Sequence, residues 1–253
     1  SPYCYMEENG AQLLGDFSRP TDAVESLWYV GLNQQSVLEA LPQNPPELKT
    51  AILAHERDLK GLRGILQEAC ELALELEPGF LSSRCDANNN SIRLAHYPDL
   101  TAPPLEGQCR YGPHVDSYGI TILRLDSEHP EGLQVQVDGE WIDIPYIEDS
   151  FVLNVGACLS RWTNGLWKAS VHQVLLKEGR RLSVVCGALR PNSDVLIDAI
   201  GPAARSGALF PPIVMKDFEE ERVAMHRPSY LAEKNVSSEA IGDLSKEIRN
   251  YQR

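Results

Sequence analysis

A mainly β fold, a sandwich or jelly roll with one long helix laid against it, is what this 253-residue sequence predicts. Three observations carry the prediction. Between residues 91 and 196 apolar side chains recur with period two in many short segments bounded by turn formers. Asp138-Gly139 lies between two such segments, a strong hairpin signal. Residues 46–76, by contrast, space their apolar side chains as a helix does, with no proline after Pro46. The resulting stripe (Leu48, Ile52, Leu59, Leu62, Leu66, Ala69, Leu72, Ala73 and Leu76) needs a sheet to lie on.

In chain order, residues 1–46 hold turn formers and scattered aromatics (Tyr3, Tyr5, Phe17, Trp28, Tyr29), so little regular structure is expected beyond a short strand near 27–30. Pro46 at its start and Pro78-Gly79 past its end delimit the long helix. Strands are expected at 92–96, 119–125, 133–137, 141–144, 151–155, 170–176 and 181–189. A two-residue turn at Asp138-Gly139 pairs Val137 with Glu140, Val135 with Ile142 and Leu133 with Ile144, so the apolar residues share a face. After Pro191 the pattern loosens into a short helix at 217–223 and a polar helix at 238–250, capped by Ser237 or Ser238. The expectation is one domain over 1–253: a region 1–90 with the supporting helix, a β core at 91–200 and a C-terminal extension at 201–253.

Composition excludes several classes of function. Lys+Arg 23 against Asp+Glu 36 gives a net charge of −13, which repels phosphate backbones and argues against nucleic acid as a partner. The longest apolar runs, such as 184–189, are too short to cross a bilayer, so no membrane partner is expected. No signal peptide is visible, and a cytoplasmic location is expected; the start at Ser1-Pro2, without methionine, leaves upstream targeting open. Six cysteines (Cys4, Cys70, Cys85, Cys109, Cys158, Cys186) show no paired spacing and read as reduced thiols of an intracellular protein. Nothing in the sequence addresses oligomeric state.

The chemistry concentrates in Gly112-Pro113-His114-Val115-Asp116 and His172. On an extended strand His114 and Asp116 leave the same face, roughly 6.6 Å apart. A histidine from a partner strand, His172, completes two imidazoles and one carboxylate, a ligand set typical of non-haem Fe(II) with open positions. A second reading concerns 172–185: a turn at Glu178-Gly179 pairs Leu176 with Arg181, Val174 with Ser183 and His172 with Val185, which puts His172, Arg181 and Ser183 on one face. That arrangement suits a small dicarboxylate, chelated to metal at one end and held at the other by the planar donors of Arg181 and the Ser183 hydroxyl. The plainer alternative makes Arg181 a hairpin-end charge and Ser183 a filler.

Seven ordered segments carry a resemblance: 93–98 (Arg-Leu-Ala-His-Tyr-Pro), 112–116, 132–135 with 138–142, Asn154-Val155-Gly156, 161–165, Val171-His172 and 181–184. In this order the sequence resembles the Fe(II)/2-oxoglutarate-dependent oxygenases of the isopenicillin N synthase-like type, from about residue 72 to 223. The resemblance implies a double-stranded β-helix with the long helix outside. It implies Fe(II) on His114, Asp116 and His172, and 2-oxoglutarate on Arg181 and Ser183 with help from Tyr97. With O2, a small-molecule substrate would be hydroxylated, desaturated or cyclised, with release of succinate and CO2. Alternatives are an oxidase of the same fold that does not use 2-oxoglutarate, a jelly-roll binding protein without turnover, and a zinc hydrolase, for which no general base stands beside the triad.

The sequence departs from that family at three places. Ala95 stands where many relatives carry Asn, Gly156-Ala157-Cys158 lacks the usual aspartate, and Cys186-Gly187-Ala188 replaces a bulky aromatic pair, which would enlarge the substrate pocket. Arg110, Arg161 and Arg190 are candidates for a substrate carboxylate, and His96 for facing substrate; Thr121, Leu123 and Leu133 either line the pocket or pack in the core. His55, His129 and His226 read as ordinary polar residues, Cys158 and Cys186 as buried apolar side chains in strand-like surroundings, and Trp141, Trp162 and Trp167 as packing residues.

Overall fold

A computed structural model describes residues 3–5, 10–11, 16, 18–31, 34–41, 45–86, 90–100, 102–205 and 207–226. The expected helix at 238–250 lies outside the described residues. In order, the chain forms β1 (Tyr3–Tyr5), β2 (Glu25–Val30), α1 (Gln35–Ala40), α2 (Pro46–Ala73), β3 (Ser91–Tyr97), β4 (Tyr111–His114), β5 (Ile120–Arg124), β6 (Leu133–Val137), β7 (Glu140–Asp143), β8 (Val152–Val155), α3 (Ala157–Trp162), β9 (His172–Val174), β10 (Arg181–Ala188), β11 (Leu196–Ile197), β12 (Ile213–Val214) and α4 (Met215–His226). The N-terminal region is more regular than its turn-rich composition suggested. The reason is long-range pairing: β2 runs its full length against β3, and β1 adds to β2.

The β core is a jelly roll. A six-stranded sheet, β1-β2-β3-β10-β5-β8, faces a four-stranded sheet, β4-β9-β6-β7, and from β3 to β10 the chain passes back and forth between them. The β6–β7 hairpin has the expected register, Val137 opposite Glu140 and Val135 opposite Ile142, with positive φ at both Asp138 and Gly139. Its apolar face is buried only at the Leu133 end; Val137 and Ile142 are exposed.

The long helix does support the sheet. Ile52, Leu59 and Cys70 of α2 are buried in one apolar cluster with Ile92, Cys186 and Ile122, which stand in register on β3, β10 and β5. Leu72, expected in the stripe, is 83% exposed. It follows Ile52 by twenty residues, which at 3.6 residues per turn is about 200° around the helix, hence on the opposite side. Beyond the helix, the buried Glu71 carboxylate accepts the backbone N–H groups of Gly79 (2.8 Å), Leu81 (2.7 Å) and Ser82 (3.3 Å) and so ties down the following turn.

The other face of the large sheet looks into the interior. Alternation places Tyr97 beside Arg181, Ala95 beside Ser183, Arg93 beside Val185 and Leu123, and Gly187 beside Thr121 and Asn154 in successive rows across β3, β10, β5 and β8. One expected feature is corrected here: β9 and β10 do not form a hairpin. Both edges of β9 are taken by β4 and β6, and both edges of β10 by β3 and β5, so the two strands lie in opposite sheets. Cys158 likewise sits on a helix, α3, rather than in a strand, and is fully buried.

The start of α3 is docked on the loop after β4. Ala157 N–H donates to Asp116 O (2.7 Å) and Cys158 N–H to Ser117 O (3.1 Å). The contact is possible because residue 156 is glycine: a Cβ there would stand 2.2 Å from Tyr118 O and 3.0 Å from Asp116 O.

Two outcomes follow. Glu71→Ala should lower stability by about 1–3 kcal/mol in urea unfolding, because three N–H groups lose a charged acceptor. Burial works against the Glu71 charge, but the three amides outweigh it and hold its pKa below the ordinary carboxylate value. Its contribution is therefore full above that ordinary value and declines as pH falls through the lowered one, so acid-side stability should fall less steeply in Glu71→Gln than in the parent. Gly156→Ala should cost about 1–3 kcal/mol through overpacking and should also weaken divalent-metal binding, measured by calorimetry, because the displaced loop carries Asp116.

Candidate metal centre

His114 and His172 are directly opposite each other on β4 and β9, with ring centroids 4.1 Å apart. Their pairing is antiparallel, so both imidazoles leave the same face, toward the large sheet. Asp116 lies two residues past His114, beyond the end of β4 rather than within it. Its Oδ1 stands 3.7 Å from His114 Nε2 and 3.8 Å from His172 Nε2, and one ligand atom from each residue falls within 4.8 Å of the other two. Among the described residues this is the group of three that could hold a metal ion.

The surroundings prepare these atoms as ligands. His114 Nδ1 is 2.9 Å from Gly112 O, and His172 Nδ1 is 2.9 Å from Ser170 O. A nitrogen facing a carbonyl must carry the proton, so each Nε2 keeps its lone pair for a metal. Burial, reinforced by His172, pushes the His114 pKa down to about 4 even though Asp116 pulls the other way, so this ring is neutral near pH 7. Asp116 is only partly exposed, and the loss of solvent opposes its charge, yet His172 and His114 hold its carboxyl well below the usual range. Its Oδ2 is buried without a hydrogen-bond partner, as a carboxylate awaiting a cation would be.

Three neighbours fix the loop. The buried Asp22 accepts Gly112 N–H (2.8 Å) and Gly10 N–H (2.6 Å), holding the irregular Tyr111–His114 segment. Arg222, on α4, donates to Val115 O (3.1 Å) and Ser117 Oγ (3.3 Å), on either side of Asp116. The α3 amides grip Asp116 O and Ser117 O.

A cavity of about 310 Å³ opens in front of the cluster, walled by the interior rows of the large sheet and by Tyr111, Leu133 and Val174 of the small one. A narrower pocket adjoins it, lined by Arg181, Ser183 and His129 and sharing Tyr97, Leu123, Leu133 and Val174 with the first. Arg181, Ser183 and Tyr97 are all buried, and the Arg181 guanidinium lies over the Tyr97 ring at 5.0 Å. Arg181 Nη1 donates to Glu131 O and to His129 O, while Nη2 is buried with no partner. Burial lowers the Arg181 pKa without removing its charge at neutral pH. His172, Arg181 and Ser183 thus converge from two sheets, and not from one hairpin.

Other expected site residues fall elsewhere. Arg110 donates to Pro98 O, Lys177 O and Gly179 O; Arg161 reaches Pro211 O; Arg190 pairs with Glu219 at 2.7 Å. None of the three lines the cavity. His96 faces outward to Glu25, because alternation that turns Tyr97 inward turns its neighbour out. Thr121, Leu123 and Leu133 do line the cavity, and so does Gly187 of the departing Cys186-Gly187-Ala188 segment. The cavity adds Trp28, Arg93, Asn154 and Arg222, which sequence reasoning had not singled out as site residues. Arg93 was within reach of the pattern, since it shares the parity of Tyr97; Arg222 had no local signal.

No helix among the described residues is long and apolar enough to cross a membrane. The profile of the 2OG-Fe(II) oxygenase superfamily matches residues 88–187. Validamycin A dioxygenase of Streptomyces hygroscopicus subsp. limoneus is 32% identical over 158 residues, which cover 61% of this chain but 41% of that protein. The chain is 30% identical over 230 residues to 1-aminocyclopropane-1-carboxylate oxidase 3 of Arabidopsis thaliana, covering 87% of this chain and 70% of that one. The crystal structure of a full-length Neurospora crassa protein in complex with alpha-KG superposes with a TM-score of 0.71 at 27% identity, over 81% of this chain and 70% of that one. With a relative of this identity matched over most of its length, and the family profile spanning β3 through most of β10, the chain belongs to the 2OG-Fe(II) oxygenase superfamily.

Proposed function

We propose that the chain is an Fe(II)- and 2-oxoglutarate-dependent dioxygenase that oxidises a small molecule, by hydroxylation, desaturation or ring closure, with release of succinate and CO2. His114, Asp116 and His172 hold Fe(II); Arg181 and Ser183, with Tyr97, hold the distal carboxylate of 2-oxoglutarate. The observation that carries the reading is Arg181: a buried guanidinium whose Nη2 has no partner, in a pocket that shares four walls with the cavity of the His-Asp-His cluster. The Neurospora crassa complex with alpha-KG supports it, and the name of the Streptomyces relative supports a small-molecule substrate.

Bound Fe(II) supplies activation of O2 coupled to oxidative decarboxylation of 2-oxoglutarate. The chain's own residues do the rest. Gly112 O and Ser170 O lock both imidazoles with Nε2 forward. Asp116 neutralises part of the cation charge with a carboxylate that stays ionised. Arg181 meets the diacid's far end with a planar donor pair, and Leu123, Leu133 and Val174 keep water from the space between.

Under anaerobic titration the protein should bind one Fe(II), and His114→Ala or Asp116→Ala should reduce affinity by more than about tenfold. A chelator should abolish succinate formation, and added Fe(II) should restore it. Arg181→Leu should raise the KM for 2-oxoglutarate roughly 10- to 100-fold, the loss of about 1.5–3 kcal/mol of charge-assisted hydrogen bonding. Substrate turnover that consumes O2 and forms no succinate would overturn the reading.

A further inference from the structure

The interior rows of the large sheet order the site along β10. Arg181 and Ser183 mark one end; Val185, beside Arg93 and Leu123, comes next, and Gly187, beside Thr121 and Asn154, marks the other end. Val185 is four steps along the strand from Arg181, roughly 13 Å, which is more than a five-carbon diacid anchored at Arg181 spans. The Arg93 and Asn154 rows therefore lie beyond the diacid's reach along β10, in the part of the cavity beside the metal cluster that is left as a chamber for substrate.

Three features give that chamber a chemical preference. Its wall carries two buried arginines, Arg93 (8% exposed) and Arg222 (5% exposed), while Asp116, already turned to the metal position, is the carboxylate among its described lining residues. This is the reverse of the chain as a whole, whose net charge is −13. Arg222 is tied to the loop around Asp116, and the Arg93 guanidinium lies over the Tyr111 ring at 4.5 Å. Asn154 is 7% exposed, lines the cavity and has an Nδ2 with no hydrogen-bond partner. Trp28 and Tyr111 add flat apolar surface. A buried amide donor without an acceptor is a standing cost that a ligand's acceptor removes.

We propose that the chamber binds a small carboxylic acid with an apolar or aromatic body, its carboxylate met by Arg93 and an acceptor on its body met by Asn154 Nδ2. The proposal rests on the cofactor reading above for which end of the cavity remains to the substrate. Arg93 and Asn154 are then the residues that set substrate choice.

The test is equilibrium calorimetry on anaerobic protein loaded with Fe(II) and saturating 2-oxoglutarate. The probes are phenylacetate, para-hydroxyphenylacetate, cinnamate and hexanoate, each beside its primary amide, a neutral molecule of nearly the same shape. At least one acid should bind tenfold or more tightly than its amide. Arg93→Gln should erase that gap and Arg93→Lys should keep part of it, which a merely misfolded variant would not do. Asn154→Ala should abolish any preference for para-hydroxyphenylacetate over phenylacetate while leaving the gap between acid and amide. Amides that bind as well as acids, no binding by any acid, or a gap that survives Arg93→Gln would each overturn the proposal. Direct titration of 2-oxoglutarate in the same proteins separates the two readings: if it binds and the acids do not, only the chamber assignment fails, whereas absence of 2-oxoglutarate binding defeats the cofactor reading.

Discussion

Across the antiparallel ladder of β4 and β9, His114 stands directly opposite His172, and residues so paired share a face. Everything else in the site is arranged around that register. β9 is short, but its other edge is held by β6, so it cannot slide without breaking two ladders. The carbonyl two residues before each histidine accepts a hydrogen bond from Nδ1–H and so restrains ring rotation. Asp116 gains its position differently, since it lies past the end of the strand. There the backbone is held from two sides, by the amides of α3 and by Arg222 of α4, so a loop residue is placed as firmly as a strand residue.

The large sheet divides the molecule into two physical environments. On one face Ile92, Ile122 and Cys186 join Ile52 and Leu59 of α2 in a close-packed apolar layer, which carries much of the hydrophobic stabilisation. On the other, Arg181, Arg93, Ser183 and Asn154 face a cavity beside two imidazoles and a carboxylate. Such groups are costly to bury, and each is held by backbone carbonyls, aromatic faces or opposite charge, or is left open toward a ligand. The dry layer stabilises the fold that the polar layer strains.

Legibility in the sequence followed how local the determining contact was. The Asp138-Gly139 hairpin was readable because a two-residue turn with positive φ at both positions fixes the register by itself. The long helix was readable from its stripe and its prolines. By contrast, β9 and β10 are near neighbours in sequence and alternate well, yet their partners are β4 and β6 or β3 and β5, which adjacency could not reveal. Arg181 and Ser183 were placed near His172 for the wrong local reason, and the crossing between sheets delivers the nearness instead. Arg222 was invisible because only the return of α4 over the Val115–Ser117 loop brings it to the cavity, whereas Arg93, also missed, shares the parity of Tyr97 and could have been found from it.

β10 also has a consequence for how such a site can change over time. Its inward positions work as marks on a ruler, with the proposed anchor for the diacid at 181 and 183 and the proposed chamber at 185 and 187. An insertion or deletion within the strand would shift every mark at once and turn Leu182, Val184 and Cys186 inward, losing the anchor together with the chamber. Single replacements at the far marks, or at their neighbours on β3 and β8, leave the near marks in place. Variation in what is oxidised is thereby uncoupled from the means of oxidising it, and the separation is measured in residues along one strand.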